Sequence, residues 1–311
     1  MDSFVHLRVA SGYSFQYGAS HPGELVAEAV RHGMDALAIT DRGGLYGAVR
    51  FAKACLKAGI APIVGVDLAV RPDGWRPNRR PTAARGGQLR DERLPRAVVL
   101  ATSRPGWATL CELITAAQLT GERGDPAVSL ELIVRHCAGR DAVVLLGADS
   151  EVGEALAADR PDLAEAAARR WRAELGTGLV LAATNHQTGG RGAGSAHQAA
   201  GTIRLARRLA VPVVLTNAVR MARREQAATA DVLDAARRLA PLDVRTIDRR
   251  NAEGYLKPEE GMRAAADEAA RLAGEPDGAA LLRATRHLAE RCRLDPIGDI
   301  GLGEIRLPEF E

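Results

Sequence analysis

The sequence has no run of about 18 apolar residues, so nothing in it reads as a membrane-spanning helix. Its opening, MDSFVHLRVASGYS, lacks the basic start and apolar stretch of a secretion signal, and a cytoplasmic location is expected. Cysteine is sparse. Cys55, Cys111, Cys137 and Cys292 stand far apart with no C-x-x-C pair, which argues against a zinc ribbon or a disulfide framework and leaves reduced, mostly buried thiols. Lysine is almost missing: only Lys53, Lys57 and Lys257 stand among 42 basic residues, so the positive charge is arginine. The net charge of +3 is weak evidence for an anionic partner. No G-x-S-x-G elbow, H-E-x-x-H helix or Walker loop occurs. The glycine-rich stretch at 189–194 (GGRGAG) lacks the spacing and strand context of a phosphate loop. No cofactor is expected.

What is present is an alternation of short apolar runs with longer amphipathic ones. Strands are expected at Phe4–Ala10, Asp35–Thr40, Ile60–Val70, Ala97–Ala101, Ala142–Leu146, Leu179–Ala183 and Val211–Thr216. Helices are expected between them, at Pro22–His32 (capped by Ser20), Tyr46–Lys57, Trp107–Leu119, Leu163–Leu175, Ala196–Leu209 and Arg224–Leu239. Near-continuous apolar strands alternating with helices imply parallel strands covered by helices, and about seven of them suit a closed or distorted barrel. In such barrels the chemistry gathers at the C-terminal strand ends: after Val9, after Ile39, around Val66, near Arg96 and after Leu215. The barrel is expected to occupy 1–240, interrupted by an arginine-rich insertion at 71–96. Two helices, Glu259–Ala273 and Ala279–Cys292, form a helical extension over 241–300, and 301–311 reads as a linker.

At those strand ends the sequence resembles a known family. FVHLRVASGYS (Phe4–Ser14), GMDALAITDRGGLYGAVRFAKACLKAGIAPIVGVDL (Gly33–Leu68), VPVVLTNAVR (Val211–Arg220), EGYLKPEEGM (Glu253–Met262) and LPEF (Leu307–Phe310) are similar, in order, to motifs of the N-terminal PHP (polymerase and histidinol phosphatase) domain of bacterial C-family DNA polymerases. GAS at Gly18–Ser20 leans toward the error-prone branch. The resemblance implies a distorted (β/α)7 PHP barrel with a helical C-terminal extension. In metal-binding members it also implies His, Asp and Glu ligands that hold up to three metals for phosphoester hydrolysis.

The departures matter most. The family's H-x-H falls on Arg8 and Ala10, the histidine after the ITD aspartate on Arg42, the third-strand glutamate on Asp67, a histidine before the fourth strand at about Arg96, and the late Asp-x-His on Ala218 and Arg220. Of the implied ligands His6, Asp41 and Asp67 remain as a vestigial site. Arginine stays protonated and offers no lone pair to a metal. Arg8, Arg42, Arg96 and Arg220 are therefore expected to bring positive charge where metals would sit, pairing Asp41 and Asp67 or forming an anion pocket.

The expected function is that of a non-catalytic, structural PHP segment of a DNA polymerase III alpha subunit, acting in replication or error-prone repair synthesis. The alternative is a standalone metal-dependent PHP phosphoesterase or exonuclease. Expected partners are the remainder of a polymerase chain and other replication or repair proteins, with DNA phosphates reached through the 71–96 loop. No membrane partner is expected.

Overall fold

A computed structural model describes residues 3–72, 94–120, 127–244 and 247–303. Most of the arginine-rich insertion (73–93) and most of the expected linker (304–311) lie outside the described residues.

Six strands form one sheet in sequence order: β1 (Ala36–Arg42), β2 (Ala61–Ala69), β3 (Arg96–Ala101), β4 (Ala142–Leu146), β5 (Leu179–Thr184) and β6 (Val213–Thr216). The intervening helices are α1 (Pro22–Arg31), α2 (Ala48–Ala58), α3 (Arg104–Thr120), α4 (Leu130–Cys137), α5 (Glu151–Ala157), α6 (Pro161–Leu175), α7 (Ala196–Leu209) and α8 (Ala227–Arg237), followed by α9 (Glu259–Leu272) and α10 (Ala279–Arg291). None of the described helices is long and apolar enough to cross a membrane.

Alternation along the strands separates two apolar layers. Ala36, Ala38, Ile63, Val98, Leu100, Val143, Leu145, Val180, Ala182 and Val214 face the inside of the curled sheet. Their neighbours Leu37, Ile39, Val64, Val66, Val99, Val144 and Leu181 pack outward against buried residues of α1, α2, α3, α6 and α7. Leu288 and Ala289 of α10, with Cys292 just past its end, join the inner layer, so this helix seals the inner core. Asp35 anchors it, accepting from Arg286 Nη1 and Nη2 (2.7 Å each) and Arg293 Nη2 (2.6 Å).

Two strand expectations change. Phe4–Ala10 is not a continuous strand. The chain bends at Leu7, and Val5 and Leu7 both enter the inner layer. The segment still closes the barrel. Ala38 and Thr40 of β1 donate to the His6 and Val9 carbonyls (3.0 and 2.7 Å), while Ala10 donates to Val219 and Val219 to Arg8 (2.8 and 3.0 Å). Second, the sheet is mixed, because β3 runs antiparallel to both neighbours. β2 ends where β3 begins: the Val70 N–H donates to the Pro95 carbonyl at 2.7 Å, so the chain reverses instead of crossing over.

Ser20 is also not the cap of α1. His21 holds that position without a side-chain cap bond. The Ser20 hydroxyl instead donates to Gln226 Oε1 (2.8 Å) and accepts from the Ala222 amide (2.9 Å), tying the first loop to the one after β6.

Candidate functional site

The mouth of the barrel, where β1, β2 and β6 end and β3 begins, holds most of the buried charge. The bend at Leu7 turns Arg8 into it. Arg8 is 5% exposed and forms a two-pronged pair with Asp149, Nη1 to Oδ1 and Nη2 to Oδ2, both at 2.6 Å. Nη2 also reaches Asp67 Oδ2 at 2.7 Å. On the other side of the same carboxylate, Arg96 Nε donates to Asp67 Oδ1 (2.6 Å) and Nη2 to the Asp67 carbonyl (2.9 Å). Burial alone would raise the Asp67 carboxyl, but the charges of Arg96 and Arg8 outweigh it and hold the group below the usual carboxylate range. Asp149 is likewise held low: the charge and hydrogen bonds of Arg8 overcome desolvation. Gly147 gives this network room, since a Cβ there would stand 3.0 Å from Arg8 Nη1.

Asp41 is held differently. Among the described residues it faces no guanidinium at bonding distance. Its Oδ1 accepts from the Ser11 amide (2.6 Å) and the Ser14 hydroxyl (2.7 Å), and its Oδ2 from the Ser11 hydroxyl (2.9 Å). Burial pushes this carboxyl up, and the serine donors pull against that. The expected pairing of Asp41 with arginine is therefore corrected: the loop after Val9 folds back and supplies neutral donors. Gly47 lets the carboxylate sit there, because a Cβ on it would lie 2.7 Å from Asp41 Oδ2.

The remaining expected residues disperse. Arg220 turns to α8, where Nη2 and Nη1 meet Asp234 Oδ1 and Oδ2 (2.8 and 3.1 Å) and Nη2 also donates to the Tyr17 carbonyl (3.1 Å). Arg42 is half-buried with its guanidinium carbon 3.2 Å from the centre of the Tyr17 ring, and Arg220 lies 4.2 Å from the same ring. His6 is fully buried and its Nε2–H donates to the Lys257 carbonyl (2.9 Å). Its Nδ1 is covered and has no partner among the described residues, and burial lowers the ring's pKa to about 4, so it is neutral.

A cavity of about 270 Å3 opens beside the network, with Arg8, Tyr17, Asp149, His186, Arg220 and Arg250 among its walls. Sequence reasoning passed over Asp149 and Tyr17 and gave His186, beside the glycine-rich turn, a surface role, whereas it is half-buried in the cavity wall. Asp149 follows β4 in GADS, a strand end like the others, and that position was the available signal. His186 follows β5 and donates from Nε2 to the Asn217 carbonyl at 2.7 Å, a contact no local motif announces.

These donors do not fit a metal cluster. Both Asp67 oxygens already face guanidinium nitrogens, Asp41 is filled by three hydrogen bonds, and His6 is bound to the 253–257 segment. Among the described residues no group of three or more His, Cys, Asp and Glu is arranged to hold a metal ion.

Comparison with known proteins agrees with the motifs. The PHP domain family matches residues 6–186. An error-prone DNA polymerase of Symbiobacterium thermophilum is 34% identical over 99% of this chain and 26% of its own length. A DNA polymerase III subunit alpha of Treponema pallidum is 34% identical over 74% of this chain and 19% of its own length. The chain thus spans about a quarter or less of these relatives. Among solved structures, an amidohydrolase from Chromobacterium violaceum aligns with 68% of this chain and 86% of its own, at 15% identity and a TM-score of 0.47. With more than half of its length matched, the chain belongs to the PHP domain family, of the kind found as the N-terminal region of bacterial DNA polymerase III alpha subunits and error-prone DNA polymerases.

Proposed function

We propose that this chain acts as a non-hydrolytic, structural PHP module of a C-family DNA polymerase that serves replication or error-prone repair synthesis. The observation that carries the proposal is the Arg8–Asp67–Arg96 bridge with Asp149 on its far side. Guanidinium groups stand where metal chemistry would need open lone pairs, and each one neutralises a carboxylate that a cation would otherwise bind. Hydrolysis would need a metal-bound water or another activated nucleophile, and the described mouth offers no side-chain set to hold the metal. In this reading 1–240 is the barrel, 241–300 is an extension whose α10 completes the inner core, and 301–311 leads to a further module.

The length of the relatives supports a role inside a larger polypeptide. Polymerase chemistry requires paired carboxylates that hold two metals, which the mouth does not provide. An immunoblot of source-cell lysate with an antibody to this region tests the reading. The expected band is several times the mass of the 311-residue chain. A band at the mass of the chain itself would mean a free PHP protein and would overturn the polymerase-module reading.

A further inference from the structure

Exposed arginines on several helices meet a carboxylate one turn away. Arg135 pairs with Glu131 on α4, Arg169 with Glu165 on α6 and Arg263 with Glu259 on α9, at 2.5–2.8 Å. The outer face of α2 has no such arrangement. Its sequence, AVRFAKACLKA, holds Arg50, Lys53 and Lys57 and no acidic residue. None of the three has an ion-pair partner among the described residues. Two of them are lysines in a chain that has three, so the arginine-rich composition does not account for the stripe. The acids of α1, which packs against α2, are occupied: Glu24 by Arg223 (3.0 Å) and Glu28 by Arg31 (2.6 Å).

The same face is apolar as well as basic. At 100° per residue, Val49, Arg50, Lys53, Leu56 and Lys57 fall within about 120° of the helix surface, opposite the buried Ala48, Phe51, Ala52 and Cys55. Val49 and Leu56 are exposed. The stripe continues beyond the start of the helix, where Tyr46 is 69% exposed. Phe15 (73% exposed) follows Ser14, whose Oγ accepts from the Arg42 amide at 3.0 Å. Leu119 (80% exposed) follows Gln118, whose Nε2 donates to the Gly43 carbonyl at 3.1 Å. Both therefore stand beside the 43–47 loop that leads into α2.

Large apolar side chains held in water beside unneutralised cations mark an interaction surface, and their mixture decides the partner. A DNA strand would satisfy the cations and could stack on Phe15 and Tyr46, but it offers nothing to the aliphatic Val49, Leu56 and Leu119. An acidic amphipathic helix matches both features: its apolar face covers the aliphatic and aromatic groups, and its carboxylates meet the cations. We propose that the outer face of α2, with Phe15, Tyr46 and Leu119 at its start, docks an acidic amphipathic helix of a second polypeptide. Arg50, Lys53 and Lys57, which span about 10 Å along the helix axis, fix its orientation at the rim of the contact. This docking is independent of the charge network in the mouth.

The 311-residue chain is titrated by fluorescence anisotropy against a labelled synthetic peptide of about 15 residues, or four helical turns. The peptide carries leucines at the i, i+3, i+4, i+7 spacing and glutamates elsewhere. Saturable binding of one peptide per chain is expected. It should weaken by about tenfold or more in the Arg50→Glu/Lys53→Glu/Lys57→Glu variant and by about threefold in Leu56→Ser. These side chains lie on the surface, so both variants should melt as the parent does. A peptide with lysine in place of every glutamate should bind the charge-reversed variant and not the parent, a rescue that a misfolded variant could not give. Absence of saturable binding overturns the docking site, as does unchanged affinity in the charge-reversed variant or equal binding of a scrambled peptide of the same composition. Single-stranded oligodeoxythymidylate that binds more tightly than the acidic peptide, and loses that binding in the charge-reversed variant, would make α2 a nucleic-acid track and overturn the assignment to a protein partner.

Discussion

Asp67 and Asp41 are both buried carboxylates at the barrel mouth, yet they are held by different chemistry. Asp67 is clamped by two guanidiniums at 2.6 and 2.7 Å, and Asp41 by two hydroxyls and an amide. Removing one partner from a buried ion pair leaves a desolvated charge, at about 3–5 kcal/mol. Weakening a neutral hydrogen-bond set costs about 1–3 kcal/mol. Asp67→Asn should therefore destabilise the chain more than Asp41→Asn in urea unfolding. Equal losses would mean that the guanidinium bridge contributes nothing beyond ordinary hydrogen bonds.

His6 gives the residue-scale pH dependence. In the fold its pKa is lowered from 6.5 to about 4 by burial, so the unfolded chain takes up the proton first. Stability from this residue is complete above pH 6.5 and is lost as pH falls toward 4. Between pH 7 and pH 5 the loss amounts to about 2 kcal/mol. His6→Gln, which keeps a donor for the Lys257 carbonyl, should lose correspondingly less over the same interval. Parallel pH profiles for parent and variant would show that His6 is not the group responsible.

At the scale of elements, the inner core depends on α10. Leu288 is 3% exposed and packs with strand residues of the inner layer. Leu288→Ala should cost about 2–5 kcal/mol, as expected of a buried leucine whose cavity cannot collapse inside a sheet. A loss below about 1 kcal/mol would mean that α10 lies on the barrel without completing it. This element also marks where the sequence stopped being legible. The helical period at 279–292 was plain, but the pattern carries no statement of which surface the helix covers. The expected strands at 35–40, 97–101, 142–146 and 179–183 appear within one or two residues, because their apolar runs are buried on both faces. The first segment fails as a continuous strand because the chain bends at Leu7: Val5 and Leu7 enter the inner layer while Val9 joins the outer one, a break that an alternating apolar run does not announce. The reversal of β3 was hidden as well, since an apolar run reads the same in either direction. At the mouth, the motif-aligned positions led to Arg8, Arg96 and Asp67. Asp149 and Asp234, which complete the pairs, come from positions 141 and 14 residues away from their arginines. Contacts of that kind are made only by the tertiary fold.

For the whole molecule, charge neutrality at the mouth is the organising fact. Metal-binding barrels of this kind gather carboxylates and imidazoles around cations; here arginines carried by the chain itself meet the carboxylates Asp67, Asp149 and Asp234. In the proposed metal-free reading, a charge supplied in this way cannot be removed by a chelator and leaves no vacancy for a metal to fill. The direct measurement is therefore thermal unfolding of the 311-residue chain with excess EDTA, and with added zinc or manganese, alongside elemental analysis of the purified protein. The account expects the same melting temperature in all three conditions and no stoichiometric metal. A melting temperature that falls in EDTA and is restored by zinc or manganese, with about one or more ions bound per chain, would contradict it.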